Sequence, residues 1–286
     1  MTKTILITGA SRGIGKATAL LFNKKGWNVV ATMRTPEDFK NIPESDNMVC
    51  TYLDVTNTLS IRNAIKDTIM RFGSIDVLIN NAGYGLIGLF EATTKEQIQK
   101  IFTTNVFGVM EVIRIVLPFF REQGYGTIIN ISSIAGKVTF PFYSFYDSTK
   151  WAIEGFSEAL QYELKHLNIK VKIIEPGIIK TDFYNRALIQ AGNSAINGYS
   201  SLITNFISMS IKIAMALSSS PESTAKVIYK AAVDGSWRLR YPAGGHARGI
   251  LFLRRVLSDR IINTIIQKTI LNDSKFLSIL FKKYIS

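Results

Sequence analysis

Short apolar runs rich in β-branched residues recur along the first two thirds of this 286-residue chain, each followed by a longer stretch with helical spacing. Strands buried on both faces read as near-continuous apolar runs, and strands alternating with helices form βαβ units. The pattern therefore predicts an α/β fold, a doubly wound parallel sheet covered by helices on both faces. The strand runs are Thr4 to Thr8, Asn28 to Met33, Met48 to Leu53, Val77 to Asn80, Thr127 to Ser132 and Lys170 to Ile174. Helices are predicted over about Gly13 to Lys25, Leu59 to Phe72, Lys95 to Phe119, Ser148 to His166 and Pro221 to Val233. After Pro176 the pattern loosens, as loops and lids of α/β enzymes do. The length suits one domain over residues 1–286, with 1–181 as the ligand-binding and catalytic core and 182–286 as a substrate lid and C-terminal extension.

The first strand runs into Thr8-Gly9-Ala10-Ser11-Arg12-Gly13-Ile14-Gly15, at the start of a predicted helix. Glycines there let the backbone turn tightly and approach a pyrophosphate, whose charge is met by helix N-terminal amides. A merely tight turn is the plainer alternative. If the ligand's adenosine ribose carried a free 2′-hydroxyl, an acidic residue would be expected near Met33. The chain has Arg34 instead, with Arg12 in the glycine turn, and two guanidinium groups suit a 2′-phosphate. The expected cofactor is NADP(H).

Asp54, next to Val55 at the end of the third strand, could accept from an adenine amino group or could be a turn carboxylate. Asn80-Asn81-Ala82-Gly83 ends the fourth strand with residues small enough for close approach to a cofactor, or makes an ordinary turn.

The pattern that speaks most directly of chemistry is Tyr146-Asp147-Ser148-Thr149-Lys150, preceded by Ser132-Ser133 at a strand end. Positions i and i+4 share a helix face, so the phenol and the ammonium can point into one cleft. A free tyrosine titrates near ~10, and a neighbouring ammonium favours phenolate, which brings Tyr146 closer to service as general acid or base. Ser133, thirteen residues earlier, could stabilise charge developing on a reacting oxygen, with Ser132 as the fallback. Tyr143 is a competing phenol but has no lysine four residues on.

Together these residues resemble the short-chain dehydrogenase/reductase family from about Thr4 to Thr181: TGxxxGIG is met by Thr8 to Gly15, NNAG by Asn80 to Gly83 and YxxxK by Tyr146 to Lys150. The resemblance implies a Rossmann fold and an NADP-dependent oxidoreductase that interconverts a carbonyl and an alcohol. It also implies a fourth catalytic residue, Asn105, holding a water that links Lys150 to solvent. A PGxxxT segment near the nicotinamide carboxamide is matched by Pro176, Gly177 and Thr181, with Ile179 between them. The expected catalytic residues are thus Asn105, Ser133, Tyr146 and Lys150. The expected cofactor contacts are Gly9, Ser11, Arg12, Gly13, Ile14, Gly15, Arg34, Asp54, Val55, Asn81, Ala82, Gly83, Lys150, Pro176, Gly177, Ile179 and Thr181. The segments Arg240 to Gly244 and Tyr143 to Lys150 are similar to a subgroup with 17β-hydroxysteroid and retinol dehydrogenase-like members. Leu86, Phe140, Phe142, Phe183 and Tyr184 fit an apolar, steroid-, retinoid- or lipid-like substrate, or else core and subunit contacts.

The formal net charge of +13 is concentrated late in the chain. From Trp237 to Ser286 there are ten Lys/Arg against Asp259 and Asp273. No nucleic-acid reading motif accompanies this charge, which disfavours a nucleic-acid partner. From Ile250 to Ile285 basic residues mix with Leu251, Phe252, Leu253, Ile261, Ile262, Ile265 and Ile266, a pattern that suits either peripheral contact with anionic membranes or a helix packed on the domain. A cofactor-binding regulator without turnover is the other competing class. A single cysteine, Cys50, excludes an internal disulfide, and His166 and His246 alone build no metal site, so no metal is expected. The start of the chain lacks a signal-peptide pattern, and the uncharged stretch Ala187 to Ile211 is too polar for a membrane span. The expected location is cytoplasmic, and the expected assembly a homo-oligomer.

Overall fold

The computed structural model describes residues 2–43, 45–181, 188–191 and 199–268. Seven strands form one sheet: β1 (Thr4–Ile7), β2 (Asn28–Met33), β3 (Met48–Tyr52), β4 (Val77–Asn80), β6 (Gly126–Ile131), β7 (Ile169–Pro176) and β9 (Arg240–Ala243). Their spatial order is β3-β2-β1-β4-β6-β7-β9, and every neighbouring pair is parallel. The order reverses between β1 and β4. This switch point opens a crevice at the C-terminal strand ends, where such sheets receive ligands.

Alternation along each strand feeds two cores. Leu6, Val30, Leu78, Ile128 and Val171 point to the face covered by α2 (Thr58–Phe72), α4 (Gly108–Gln123) and α5 (Ser144–Leu164). Ile5, Ile7, Val29, Ala31, Ile79 and Ile129 point to the face covered by α1 (Gly13–Lys24) and α7 (Pro221–Val233). This is the burial expected of strands whose sequences are apolar throughout. Local signals set the helix ends: the Asn57 side chain accepts from Ser60 N at the start of α2, and Gly73 closes it at φ 82°.

Four differences from the sequence pattern bear on the site. The predicted helix from Lys95 to Phe119 is instead α3 (Lys95–Phe102), one π-helical stretch over Thr103–Phe107, and α4. Helix α5 begins at Ser144 rather than Ser148, which puts Tyr146 in its first turn. Its entry is fixed by tertiary contacts: Asp147 accepts from Phe140 N at 2.8 Å, and Phe142 adopts φ 65°. Strand β9 was hidden by its length and by Pro242, which the edge of a sheet tolerates. A separate two-stranded parallel sheet joins β5 (Gly85–Gly88) to β8 (Leu188–Ala191). Past β7 the chain forms α6 (Ser200–Leu217), then α7 and β9, then α8 (Ala247–Val256) and α9 (Asp259–Ile266). The one described helical run long and apolar enough to cross a membrane, Lys95–Gln123, contains α4, whose Val112, Ile113, Val116 and Phe120 are core residues.

Candidate active site

A cavity of about 730 Å³ runs from the glycine turn, past Tyr146 and Lys150, to the inner faces of α6, α8 and α9. Its first end is built from backbone. Gly9 has φ 67°, and a Cβ there would lie 2.8 Å from Ala82 Cα. A Cβ on Gly15 would lie 2.4 Å from the Gly9 carbonyl oxygen and 2.6 Å from Asn81 Nδ2. The side chains that clamp this turn are Thr8 and Asn81. Thr8 Oγ1 accepts from Asn81 N and Ala82 N, both at 3.0 Å, while Asn81 Nδ2 donates to the carbonyls of Thr8 and Gly9 at 3.0 and 2.8 Å. Thr8 opens the glycine motif in the sequence, but the clamp its hydroxyl makes is visible only in the fold.

The first turn of α1 carries no acidic residue, and its N-cap Arg12 makes no side-chain cap. Ser11, Gly13 and Ile14 line the cavity there, so the turn presents helix N-terminal amides, unopposed by any acid in the first turn, to a phosphate. Thr181 packs beside Gly13, which brings the end of the Pro176-to-Thr181 segment against the glycine turn. Pro176, Gly177, Ile179 and Thr181 line the cavity. A Cβ on Gly177 would strike the Gly245 backbone, so this segment is seated closely on the loop after β9.

Arg12, Arg34 and Asp38 line the far rim of this end, and Arg12 meets Asp38 at 3.4 Å across the surface. Asp38 lies five residues past Met33, in a short 3-10 turn, which is why a search for an acid at the strand end passes over it. Val55 lines the cavity but Asp54 does not. Asp54 Oδ1 accepts from Thr56 N and Thr56 Oγ1, both at 2.8 Å, which is the turn geometry.

Tyr146, Lys150, Ser133 and Ser132 meet in the middle of the cavity. Tyr146 is buried against Leu86, Ile101 and Ala135, with the Tyr143 ring edge-on at 6.1 Å. Lys150 Nζ lies 5.7 Å from the Tyr146 ring centroid and donates to the Ile131 carbonyl at 2.9 Å. Burial pushes the Lys150 ammonium down to about 8, while the Glu154 carboxylate one turn further along α5 works to raise it. The i, i+4 ladder Tyr146, Lys150, Glu154 was the sequence signal for Glu154. Asp147, between the two functional side chains, is pushed up to about 8 by burial, against the lowering effect of the Phe140 amide. Ser133 Oγ accepts from Ala135 N at 3.1 Å, while Ser132 Oγ is buried with no hydrogen-bond partner among the described residues.

Asn105 sits in the π-helical stretch, buried behind the cavity wall rather than lining it. Its Oδ1 accepts from Tyr84 N at 3.1 Å, and its Nδ2 donates to the Tyr84 carbonyl at 2.8 Å and toward Thr149 Oγ1 at 3.3 Å. The side chain thus fixes the Gly83-Tyr84 backbone, which faces the cavity, to the second turn of α5.

The opposite end is apolar. Phe140, Tyr143, Phe206, Ile213, Leu217, Ile250, Leu253, Ile262, Ile265 and Ile266 line it. Leu86 is buried beside Tyr146, and Phe142 packs on Phe206 at 4.7 Å between ring centroids. Phe183 and Tyr184 lie outside the described residues. No group of three or more metal-ligating side chains occurs among the described residues.

The sequence profile described as short chain dehydrogenase matches residues 3–190. An uncharacterised oxidoreductase of Schizosaccharomyces pombe is 42% identical over 232 residues, covering 79% of this chain and 94% of its own. The 3-ketodihydrosphingosine reductase of Bacteroides thetaiotaomicron is 44% identical over 179 residues, covering 63% of this chain and 65% of its own. A short-chain dehydrogenase from Streptomyces avermitilis superposes with a TM-score of 0.79 at 30% identity, covering 94% of this chain and 97% of its own. The NADP-bound structure of ElxO superposes at 0.72 and 30% identity, covering 87% of this chain and all (100%) of its own.

Proposed function

We propose that this chain, which belongs to the short-chain dehydrogenase family, is an NADP(H)-dependent oxidoreductase that interconverts a carbonyl and an alcohol on an apolar, steroid-, retinoid- or lipid-like substrate. The observation that carries the reading is the cavity itself: a tight glycine turn at a helix N-terminus at one end, greasy walls at the other, and Tyr146 with Lys150 between them. Residues 1–181 form the cofactor-binding and catalytic core together with α7 and β9, which the sequence pattern assigns to the lid and which instead complete the sheet and cover one of its faces, while α6, α8 and α9 supply the substrate lid and basic extension.

When bound, the nicotinamide supplies or accepts the hydride. The chain's own residues handle the proton and the charge. In reduction the Tyr146 hydroxyl gives its proton to the carbonyl oxygen, and in oxidation the same phenolate takes it back. Ser133 donates to that oxygen and stabilises its developing negative charge. Lys150 in its cationic form favours the phenolate and so brings the donor toward working pH. Asn105 acts on this chemistry by fixing the backbone of Tyr84 at the cavity wall. Arg12 and Arg34 read the 2′-phosphate, and Asp38 gives up a weak surface pair to let Arg12 turn toward it. The NADP-bound relative structure supports this cofactor, and the reductase from Bacteroides thetaiotaomicron supports a lipid-like carbonyl substrate.

A panel of ketones, aldehydes and alcohols with NADPH, NADH and their oxidised forms, followed at the nicotinamide absorbance, tests the reading. Turnover of apolar carbonyls with NADPH is expected. Tight NADPH binding without turnover on any of them would instead favour a cofactor-binding regulator.

A further inference from the structure

Helices α8 and α9 have two faces that do different things. Inward, Ile250, Ile262, Ile265 and Ile266 close the apolar end of the cavity. Outward, Phe252 and Val256 are 64% and 56% exposed one turn apart on α8, and Ile261 of α9 is 47% exposed. Leu253 belongs to both faces, since it lines the cavity and is 48% exposed, so it sits on the cavity's rim. Large apolar side chains exposed singly are ordinary, but several on consecutive turns beside a cavity mark a contact surface.

Charge identifies what the surface fits. On α8, Arg248 and Arg255 flank Phe252 and Val256 at helical spacing, and Arg260 and Lys268 are exposed on and just beyond α9. The only acid in this stretch, Asp259, is paired with Arg254. The sequence from 269 onward adds Lys275, Lys282 and Lys283 against Asp273. A two-fold contact with a second copy would bring these cations against themselves. An apolar strip edged by cations instead matches a bilayer with anionic headgroups, where the strip enters the acyl boundary and the cations meet phosphate.

We propose that the outer face of α8 and α9 docks on an anionic lipid surface and opens the cavity to it past Leu253, so that a long-chain carbonyl or alcohol enters from the bilayer without crossing water. The substrate half of this statement rests on the function proposed above, and the docking half does not.

The test uses the full chain with phosphatidylcholine vesicles and with vesicles containing phosphatidylglycerol, at low and high salt. Flotation with the anionic vesicles is expected, weakened by salt. The pair Phe252→Asp and Val256→Asp, and separately Arg248→Glu with Arg255→Glu, should each reduce flotation by about ten-fold or more. None of these residues lines the cavity, so turnover of a short water-soluble ketone should stay at the parent level, while turnover of a vesicle-borne long-chain ketone falls. Three results overturn the docking: a parent chain that stays down with anionic vesicles, variants that float as well as the parent, or variants that lose a dimer in sedimentation rather than vesicle binding. Flotation without turnover of any ketone would leave the docking standing and sink the proposed function. Turnover of the soluble ketone without flotation would do the reverse.

Discussion

At the β1–α1 end of the cavity a single added methyl has nowhere to go, whereas at the α8–α9 end the wall is made of aliphatic side chains whose exchange changes little but volume. The first end is packed to contact around its glycines: Gly9 against the Ala82 backbone, and Gly15 against the Gly9 carbonyl and the Asn81 side chain. Identity there is dictated by geometry, and only glycine satisfies it. The second end is filled by Ile250, Ile262, Ile265 and Ile266, any of which another apolar residue could replace at modest cost. The lesson is that the proposed cofactor cradle sits where the chain has least freedom, and the proposed substrate pocket where it has most.

The harshest way to break this comparison is at the junction of the two ends. Tyr146→Phe keeps the ring packed beside Leu86 and Ile101 but removes the proton, so turnover should fall by about 10²–10⁴-fold with NADPH affinity nearly intact. Lys150→Ala should lower both, and the double variant should be no worse than the poorer single, because the pair acts as a unit. If single-turnover rates show Tyr146→Phe keeping a tenth of parent activity, the donor is another phenol, Tyr143 first.

Next in size is the methyl that should not fit. Gly15→Ala drives a carbon into the Gly9 carbonyl and should weaken NADPH binding by about 10–100-fold, as strain of roughly 1–3 kcal/mol would. Titration calorimetry showing parent affinity would mean the turn relaxes and the cradle is not rigid. Arg34→Asp should shift the ratio of kcat/KM for NADPH and NADH toward NADH by about ten-fold or more, since hydrogen bonds to charged groups are worth roughly 1.5–3 kcal/mol. An unmoved ratio removes Arg34 from 2′-phosphate recognition and leaves Arg12 and Asp38 to be tested.

A smaller effect concerns pH. Lys150 is cationic below about 8 because burial lowers it, and Glu154 opposes that lowering. If the cation is what activates Tyr146, kcat/KM for reduction falls along an alkaline limb as Lys150 deprotonates. Glu154→Gln removes the opposing carboxylate and should move that limb to lower pH, with kcat in the acid range unchanged. A limb that stays in place would confine Glu154 to its structural ion pair with Arg240. The smallest expected change is at the apolar end: Ile265→Val removes one methylene, worth about 0.8 kcal/mol, and should raise KM for a long-chain substrate roughly four-fold with kcat unaltered. A change in NADPH affinity instead would show that the two ends are not separable.

The same division decides what could be read from the sequence. Strands β1, β2 and β4 were legible because burial on both faces leaves them apolar throughout, and the glycine turn and the Tyr146/Lys150 pair because backbone geometry or a shared helix face permits so few residues there. Strand β9 was not, since Pro242 argues against a strand until the edge position is known. The true start of α5 was concealed because it depends on Asp147 reaching back to Phe140, a contact that no local propensity encodes. Asp54 illustrates the limit at single residues: its position at the third strand's end allowed either an adenine contact or a turn, and the turn is what its hydrogen bonds describe. Helices α8 and α9 were visible only as a basic, apolar stretch, because the same amphipathic pattern serves a packed helix and a surface one.

The π-helical stretch at Thr103–Phe107 has a bearing on how this scaffold can be altered. Bonding i to i+5 accommodates one more residue per turn than an α-helix, so the stretch behaves as an inserted residue within an otherwise continuous rod. Deleting one residue there would let the rod run as a regular α-helix, and the change would look like an improvement to any scheme that rewards ideal geometry. Since a π-helical stretch takes one extra residue through about the same rotation as a regular turn, α3 and α4 would keep their present faces, and what would be lost is the widened turn itself. Val112, Ile113 and Val116 would stay in the core, but Asn105, which reaches the Tyr84 backbone from within that turn, would be displaced from it. Regularising this helix is therefore a move for designers to avoid.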